Sequence, residues 1–275
     1  MIKRRIISII QLLILISGTI LFLFPLYIAL LNAFKTDGEM ARSILSFPRS
    51  INFYNFTTAF RRLNFLKTTL NTFIITSLSV IGILFCSSLA GYKLSRTPGK
   101  VANFFYGLFV ASMLIPFHSI MIALTKTAMI FGVKGSILGI VTIYIGLGVN
   151  MAVFLYAGFV RTIPMELEEA AIIDGCGPFQ TFFYIIFPLL KPISATIAIL
   201  NALWIWNDFL LPLLMITDAD NYTLILAANS FFGKYTADWT NLLAGLLMTS
   251  LPLIIFYLFF QKHIVKGITA GAVKG

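Results

Sequence analysis

The chain has 275 residues, of which 59 % are hydrophobic and only 11 % charged, and its mean hydropathy is +0.95. Those proportions exclude an ordinary soluble domain and suit a lipid solvent. The formal net charge of +10 does not point to nucleic acid, because the basic residues are scattered among apolar runs too long for such a surface; anchoring and topology explain them better.

Lys3, Arg4 and Arg5 precede an apolar run from Ile6 to about Phe34. It is too long for a signal peptide and no small-residue cleavage site follows, so it reads as an uncleaved first span, 6–34. The basic cluster holds the N-terminus in the cytoplasm. Five further runs, 69–92, 104–124, 136–160, 193–216 and 241–261, can each cover a bilayer, which takes about 20 residues of helix. The expectation is an all-α membrane protein, a single domain of six transmembrane helices with both termini inside. The later inside segments hold Lys93, Arg96, Lys100, Arg161, Lys191, Lys262, Lys266 and Lys274, whereas the two later outside loops carry only Lys126, Lys134 and Lys234. The first outside loop breaks that pattern with Lys35, Arg42, Arg49, Arg61, Arg62 and Lys67.

In that first loop Phe53, Tyr54, Phe56 and Phe60 either form an amphipathic segment on the outer surface or pack against the second span. Span two ends in the basic turn Gly91-Tyr92-Lys93-Leu94-Ser95-Arg96. In span three Pro116 should kink the helix, and His118 beside it is either a pathway residue or a solvated one near the outer end. Span four carries Gly139, Gly146, Gly148 and Gly158, which permit close helix approach or a subunit interface. Its Asn150 lines a pathway or bonds a neighbouring helix. Cys86 and Cys176 lie far apart and suggest neither disulfide nor metal, only small packing residues.

The stretch 163–192 is the longest polar, acid-bearing break in the second half. Pro164 suits a first helical position, and Glu166, Glu168 and Glu169 complement the positive end of a short helix. Ala170 and Ala171 remove side-chain bulk, and Asp174, Gly175, Gly177 and Pro178 turn the chain. Phe179 to Phe187 returns to the membrane, where Pro188 and Pro192 bend it into span five. That span holds Asn201, Trp204, Trp206, Asn207 and Asp208, with Asp208 roughly 23 Å along the helix at 1.5 Å per residue. The cluster is either an interfacial aromatic belt or a polar, aromatic pathway lining. The last outer loop, Thr217 to Thr240, carries Asp218, Asp220, Gly233 and Asp238-Trp239, and a Gly-rich tail occupies 262–275.

No P-loop, HExxH, C-x-x-C or nucleophile elbow occurs, so a chain of this kind that moved a solute uphill would draw its energy from a partner or an ion gradient. An ion-coupled secondary transporter is the alternative, but no repeat of span pairs is visible and the one strong intramembrane acid, Asp208, lies away from the centre.

Glu169-Ala170-Ala171, three residues, Asp174-Gly175, then Ile186 and Pro188 resembles the EAA loop in membrane subunits of binding-protein-dependent ABC importers. The chain is most similar to the MalG-type subunits of the carbohydrate uptake family, with Cys176 and Phe187 as mild departures. Trp-x-Trp-Asn-Asp-Phe in span five and the C-terminal tail match as well. The resemblance implies a type I permease fold in which 163–192 is a cytoplasmic coupling loop, with Glu169, Ala170, Ala171, Asp174, Gly175 and Pro188 coupling to an ATPase. It implies that Gly271, Lys274 and Gly275 of the tail contact that ATPase; Asn150, Trp204, Asn207 and Asp208 are, on the residues themselves, the candidates for a pathway or gate. No catalytic residue, metal or cofactor is expected on this chain; ATP and Mg are bound by the partner ATPase. The implied partners are a second, MalF-like permease subunit forming a heterodimer, two ATP-binding subunits, and an extracytoplasmic sugar-binding protein that docks on the 217–240 loop. Membrane lipid is expected as solvent, nucleic acid is not, and the implied location is the bacterial cell membrane.

Overall fold

The computed structural model describes residues 2–232 and 238–272, with side chains for 8–232, 238–256 and 258. Among these the chain is helical, without a strand. In order come α1 (Ile2–Ala33), α2 (Asp37–Arg42), α3 (Tyr54–Arg62), α4 (Phe65–Arg96), α5 (Lys100–Ser112), α6 (Phe117–Ile130), α7 (Ile137–Val160) and α8 (Glu166–Ile173). Then follow α9 (Pro178–Gln180), a π-helical turn (Thr181–Ile186), α10 (Phe187–Leu189), α11 (Lys191–Asn207), α12 (Leu210–Met215), α13 (Leu224–Ala228) and α14 (Trp239–Ala272).

Among the described residues four stretches are long and apolar enough to cross a membrane: Ser8–Ala33, Phe65–Arg96, Ile137–Val160 and Trp239–Phe256. The count rises to six only if each of two bent pairs is one span. In the first pair α5 meets α6 at 104°, and in the second Pro178–Leu189 meets α11 at 73°. The run 104–124, expected as one kinked helix, is thus two. Pro116 stands extended as the N-cap of α6 (ψ 136°), because it lacks the N–H a continuing helix needs and disfavours helical backbone in the residue before it. The run 193–216 is not continuous either: α11 stops at Asn207 and Asp208 is extended (φ −73°, ψ 130°). No break appears at 262, since α14 runs on to Ala272. Gly271 is described only as helical backbone, and Lys274 and Gly275 lie outside the described residues.

The chain divides into two units, Met1–Phe65 with Ala227–Pro252, and Leu66–Leu226 with Leu253–Gly275. In the first, α1 is exposed all round from 8 to 27, as befits a helix apolar on every face. Its far end is tied down. Asn55 Nδ2 donates to the carbonyls of Ala33 (2.8 Å) and Lys35 (2.7 Å), serving acceptors that a helix end leaves open. The Lys35 ammonium, on a residue 1 % exposed, donates to Asn32 Oδ1, Ser43 O and Ile44 O at 3.0 to 3.1 Å. The rings of Phe53 and Phe56 close on Phe34 at 5.5 and 4.9 Å. The loop aromatics therefore cap α1, with only Phe60 reaching Phe65 at the start of α4.

In the second unit α4, α7 and α11 share a core that includes Ile75, Ile83, Tyr144, Tyr156 and Ile197. They meet at Gly148, where a Cβ would lie 2.4 Å from Ile83 Cδ1 and 2.9 Å from Asn201 Oδ1. Gly146 and Gly158 face open space instead. Cys86 is exposed on α4, so it is not the packing residue expected.

Candidate functional site

Helix α8 begins one turn after α7 ends. Met165 caps it, its carbonyl accepting from the amides of Glu168 (2.9 Å) and Glu169 (3.1 Å). Pro164 lies ahead of that cap rather than at the first helical position, because Ile163 before it still closes the turn onto Val160 O (3.0 Å). Glu166, Glu168 and Glu169 occupy the first turn, where carboxylates face the positive helix end. The other end closes as a Schellman motif: Cys176 N donates to Ala171 O (2.9 Å) and Gly175 N to Ile172 O (3.0 Å). Gly175 has φ +87°, and a Cβ added there would meet nothing within 4 Å, so the need for glycine is conformational, not steric.

The two faces of this short helix differ. Inward, Ala171 is 4 % and Glu168 7 % exposed. The Glu168 carboxylate accepts from Tyr92 Oη (2.7 Å) and Arg96 Nε (2.6 Å), and Arg96 Nη2 also holds Ile163 O (2.8 Å). All three bonds come from the last turns of α4. Outward stand Glu169, Ala170 and Asp174, together with Leu167, Ile172, Ile173 (84 % exposed) and Phe179. The two alanines thus part company, one in the internal seam and one on the open face.

The return arm packs on the same place. Phe182, 2 % exposed, lies 5.2 Å from the Tyr92 ring. Its π-helical turn (Thr181–Ile186) directly precedes Pro188, which has no N–H to close an ordinary turn and crowds the carbonyl four residues back. Leu190, fully buried, donates to Ile186 O and Phe187 O before the chain bends into α11.

At the far end of α11 the polar cluster is split. Tyr144 Oη donates to Asp208 Oδ2 (2.9 Å), while Asp208 Oδ1 accepts from the amides of Leu210 (3.0 Å) and Leu211 (3.4 Å). The acid therefore caps α12 at the helix break. Trp204 meets the Tyr144 ring edge-on at 5.5 Å. Asn207 bonds back to Leu203 O (2.8 Å) and Asn201 to Ile197 O (2.9 Å); Asn150 is half-buried on α7 outside that set, and His118 is exposed in α6. In the 217–240 loop the described residues are mixed: Asp218 and Asp220 are exposed, while Leu224, Leu226 and Phe231 are buried. Thr72 Oγ1 takes the Leu224 amide (2.8 Å), Asn71 holds Asp220 O and Tyr222 O, and Lys67 pairs with Asp220. Gly233 lies outside the described residues. Among the described residues no three His, Cys, Asp or Glu side chains converge as metal ligands.

Tyr92, Arg96 and Tyr144 are the participants that sequence reading misses. The available signal is a basic turn closing one apolar run and an acidic helix opening after another.

Residues 82–270, which contain α8 and both arms of its loop, match the family described as binding-protein-dependent transport system inner membrane component. The chain belongs to this family. It is 43 % identical over 259 residues to the probable starch degradation products transport system permease protein AmyC of Thermoanaerobacterium thermosulfurigenes, covering 93 % of each. It is 37 % identical over 252 residues to the melibiose/raffinose/stachyose import permease protein MelC of Bacillus subtilis, covering 91 % of each. The MalG-type resemblance is borne out by these relatives. The fold matches a chain of a crystal structure of a bacterial ABC transporter involved in import of the acidic polysaccharide alginate. There the TM-score is 0.83 at 21 % identity, over 94 % of this chain and 97 % of that one. As an inner-membrane component of this family, the chain has the all-helical ABC importer permease fold.

Proposed function

We propose that this chain is a permease subunit of a bacterial sugar importer driven by ATP hydrolysis on separate subunits. A MalF-like second permease completes the translocation pathway as a heterodimer. Two ATP-binding subunits carry ATP and Mg, and an extracytoplasmic binding protein delivers an oligosaccharide, the substrate class favoured by the sugar systems named for both relatives. The observation that carries this reading is the two-faced α8: one side held by part-buried hydrogen bonds to α4, the other presenting Ala170, Ile172 and Ile173, with exposed Phe179 on the turn that follows. An exposed apolar patch rimmed by Glu169 and Asp174 is the expected form of a docking surface. Closure of the ATPase dimer moves α8, the Gly175 turn fixes its angle, and the spans swing between inward- and outward-facing states. The N-terminal Lys3, Arg4 and Arg5 orient the chain with both termini, and α8, in the cytoplasm. Gly271, Lys274 and Gly275 then lie on the ATPase side. Trp204 and Asp208 act with Tyr144 as a gate at the α11–α12 break, and Asn150 and Asn207 stand along the pathway.

The test is reconstitution of the chain with its partners in vesicles. Gly175→Asp, which forces a side chain into the left-handed region, and Glu169→Lys should each hydrolyse ATP without importing sugar while the protein remains in the membrane. Normal uptake in both variants would overturn the coupling role.

A further inference from the structure

The covalent routes leading away from α8 are both interrupted. Toward α7 the chain passes a turn at 161–165 containing Pro164. Toward α11 it passes the π-helical turn, Pro188 and a bend of 73°. Neither connection is a continuous helix, so neither is a stiff path for a push delivered to α8.

A third route is non-covalent and direct. Arg96 and Glu168 pair at 2.6 Å with side chains only 13 % and 9 % exposed. The second nitrogen of the same guanidinium holds Ile163 O, the last carbonyl before Pro164. Four residues earlier on α4, Tyr92 donates to the other Glu168 oxygen and lays its ring against Phe182 of the return arm. The end of α4 thus grips the loop at its entry, at its helix and on its way back. Charge-assisted bonds with fixed fork geometry keep such a junction in one arrangement. Exposed Glu169, one residue on, makes no part of this grip and is left for the outer face.

We infer that Arg96 is a positioning residue that makes α4 and α8 move as one body, so that displacement of the coupling helix is delivered first to α4 rather than to the spans adjoining it in sequence. This inference rests on the reading of α8 as the ATPase-coupled element. Spin labels at Lys93→Cys and Glu166→Cys, both exposed positions and neither on the apolar docking face, test it in the assembled complex with the clamp intact. The distance between them should be the same without nucleotide and with ATP plus vanadate. In Arg96→Ala the distance distribution should broaden and sugar imported per ATP hydrolysed should fall at least about tenfold, because both guanidinium hydrogen bonds, to Glu168 and to Ile163 O, are lost. Arg96→Lys, which keeps one donor, should recover part of it. A label distance that changes with nucleotide in the unaltered clamp overturns the inference, even if Arg96→Ala fails to fold; so does an unchanged import-to-hydrolysis ratio in a folded Arg96→Ala. Cross-linking from Ile172→Cys to the ATP-binding subunits separates the two readings. Without that cross-link the coupling role itself falls, whereas a cross-link with a changing label distance removes only the clamp.

Discussion

Lys35, Arg62 and Lys67 account for much of the positive charge that contradicts a simple orientation rule in the first outer loop. Lys35 is buried on three oxygen acceptors, Arg62 pairs with Asp238 at 3.0 Å and lies over the Phe231 ring, and Lys67 pairs with Asp220. These charges are committed to the fold, so they say little about which side of the membrane holds them. Burial pulls the Lys35 ammonium below the usual lysine pKa, partly opposed by the charge of Glu39. Lys35→Met would leave the acceptors it serves unpaired, which costs about 1–3 kcal/mol for each buried group; thermal unfolding in detergent should show the drop. Glu39 offers a pH test. The backbone amides of Thr36 and Arg49 bond its carboxylate at 3.0 Å each and hold its pKa below the ordinary 4.5. A lowered folded pKa means the contribution is whole above 4.5 and lost as pH falls through the folded value. Hydrogen-exchange protection of the Arg49 amide should fall across that window in the parent chain and show no such step in Glu39→Gln.

Among elements, the contact of α4, α7 and α11 depends on the bare backbone of Gly148. Gly148→Val would drive a branched side chain into Ile83 and Asn201. Overpacking of that kind costs typically about 1–3 kcal/mol, and a lower unfolding temperature should report it, while Gly146→Ala, facing open space, should not. The sequence reading anticipates close approach along α7 without saying which glycine makes it, because composition carries no azimuth. Helix α8 is similarly half legible. Its acids, its paired alanines and its glycine stop are plain from spacing, and Gly175 at φ +87° follows from a helix that must reverse. The inward turn of Glu168 rather than Glu169 is not, because adjacent carboxylates look alike until α4 supplies Tyr92 and Arg96. Loss of a charge-assisted bond in such a part-buried pair costs about 1.5–3 kcal/mol. The surroundings of Asp208 are half legible for a related reason: a linear count puts it inside a continuous helix, whereas the helix breaks there and the carboxylate accepts from the first amides of α12.

At the scale of the whole chain, apolar runs and basic clusters carry an all-helical membrane protein, whereas the permease fold is legible only through the resemblance of the 163–192 loop to a known family. The bends do not, because Pro116 permits a kink or a full break and only packing chooses the 104° angle. Sidedness is testable without any partner. Ile173→Cys should react with a membrane-impermeant maleimide only from the cytosol, and Phe47→Cys, 76 % exposed in the first loop, only from outside; labelling of both from one side would overturn the orientation.

The bare length of α1 has a consequence for how the protein can vary. Because residues 8–27 are exposed on every side while Asn55 and Lys35 hold the end of the helix, its two halves answer to different solvents. Along 8–27, exchange of one oily side chain for another should pass almost unnoticed, whereas an arginine at the centre should hinder insertion by about 2.5–3.5 kcal/mol. Between 31 and 35 shape decides. A library of random hydrophobic replacements should therefore accept nearly anything in the first stretch and almost nothing in the second, a boundary drawn by one asparagine and one lysine.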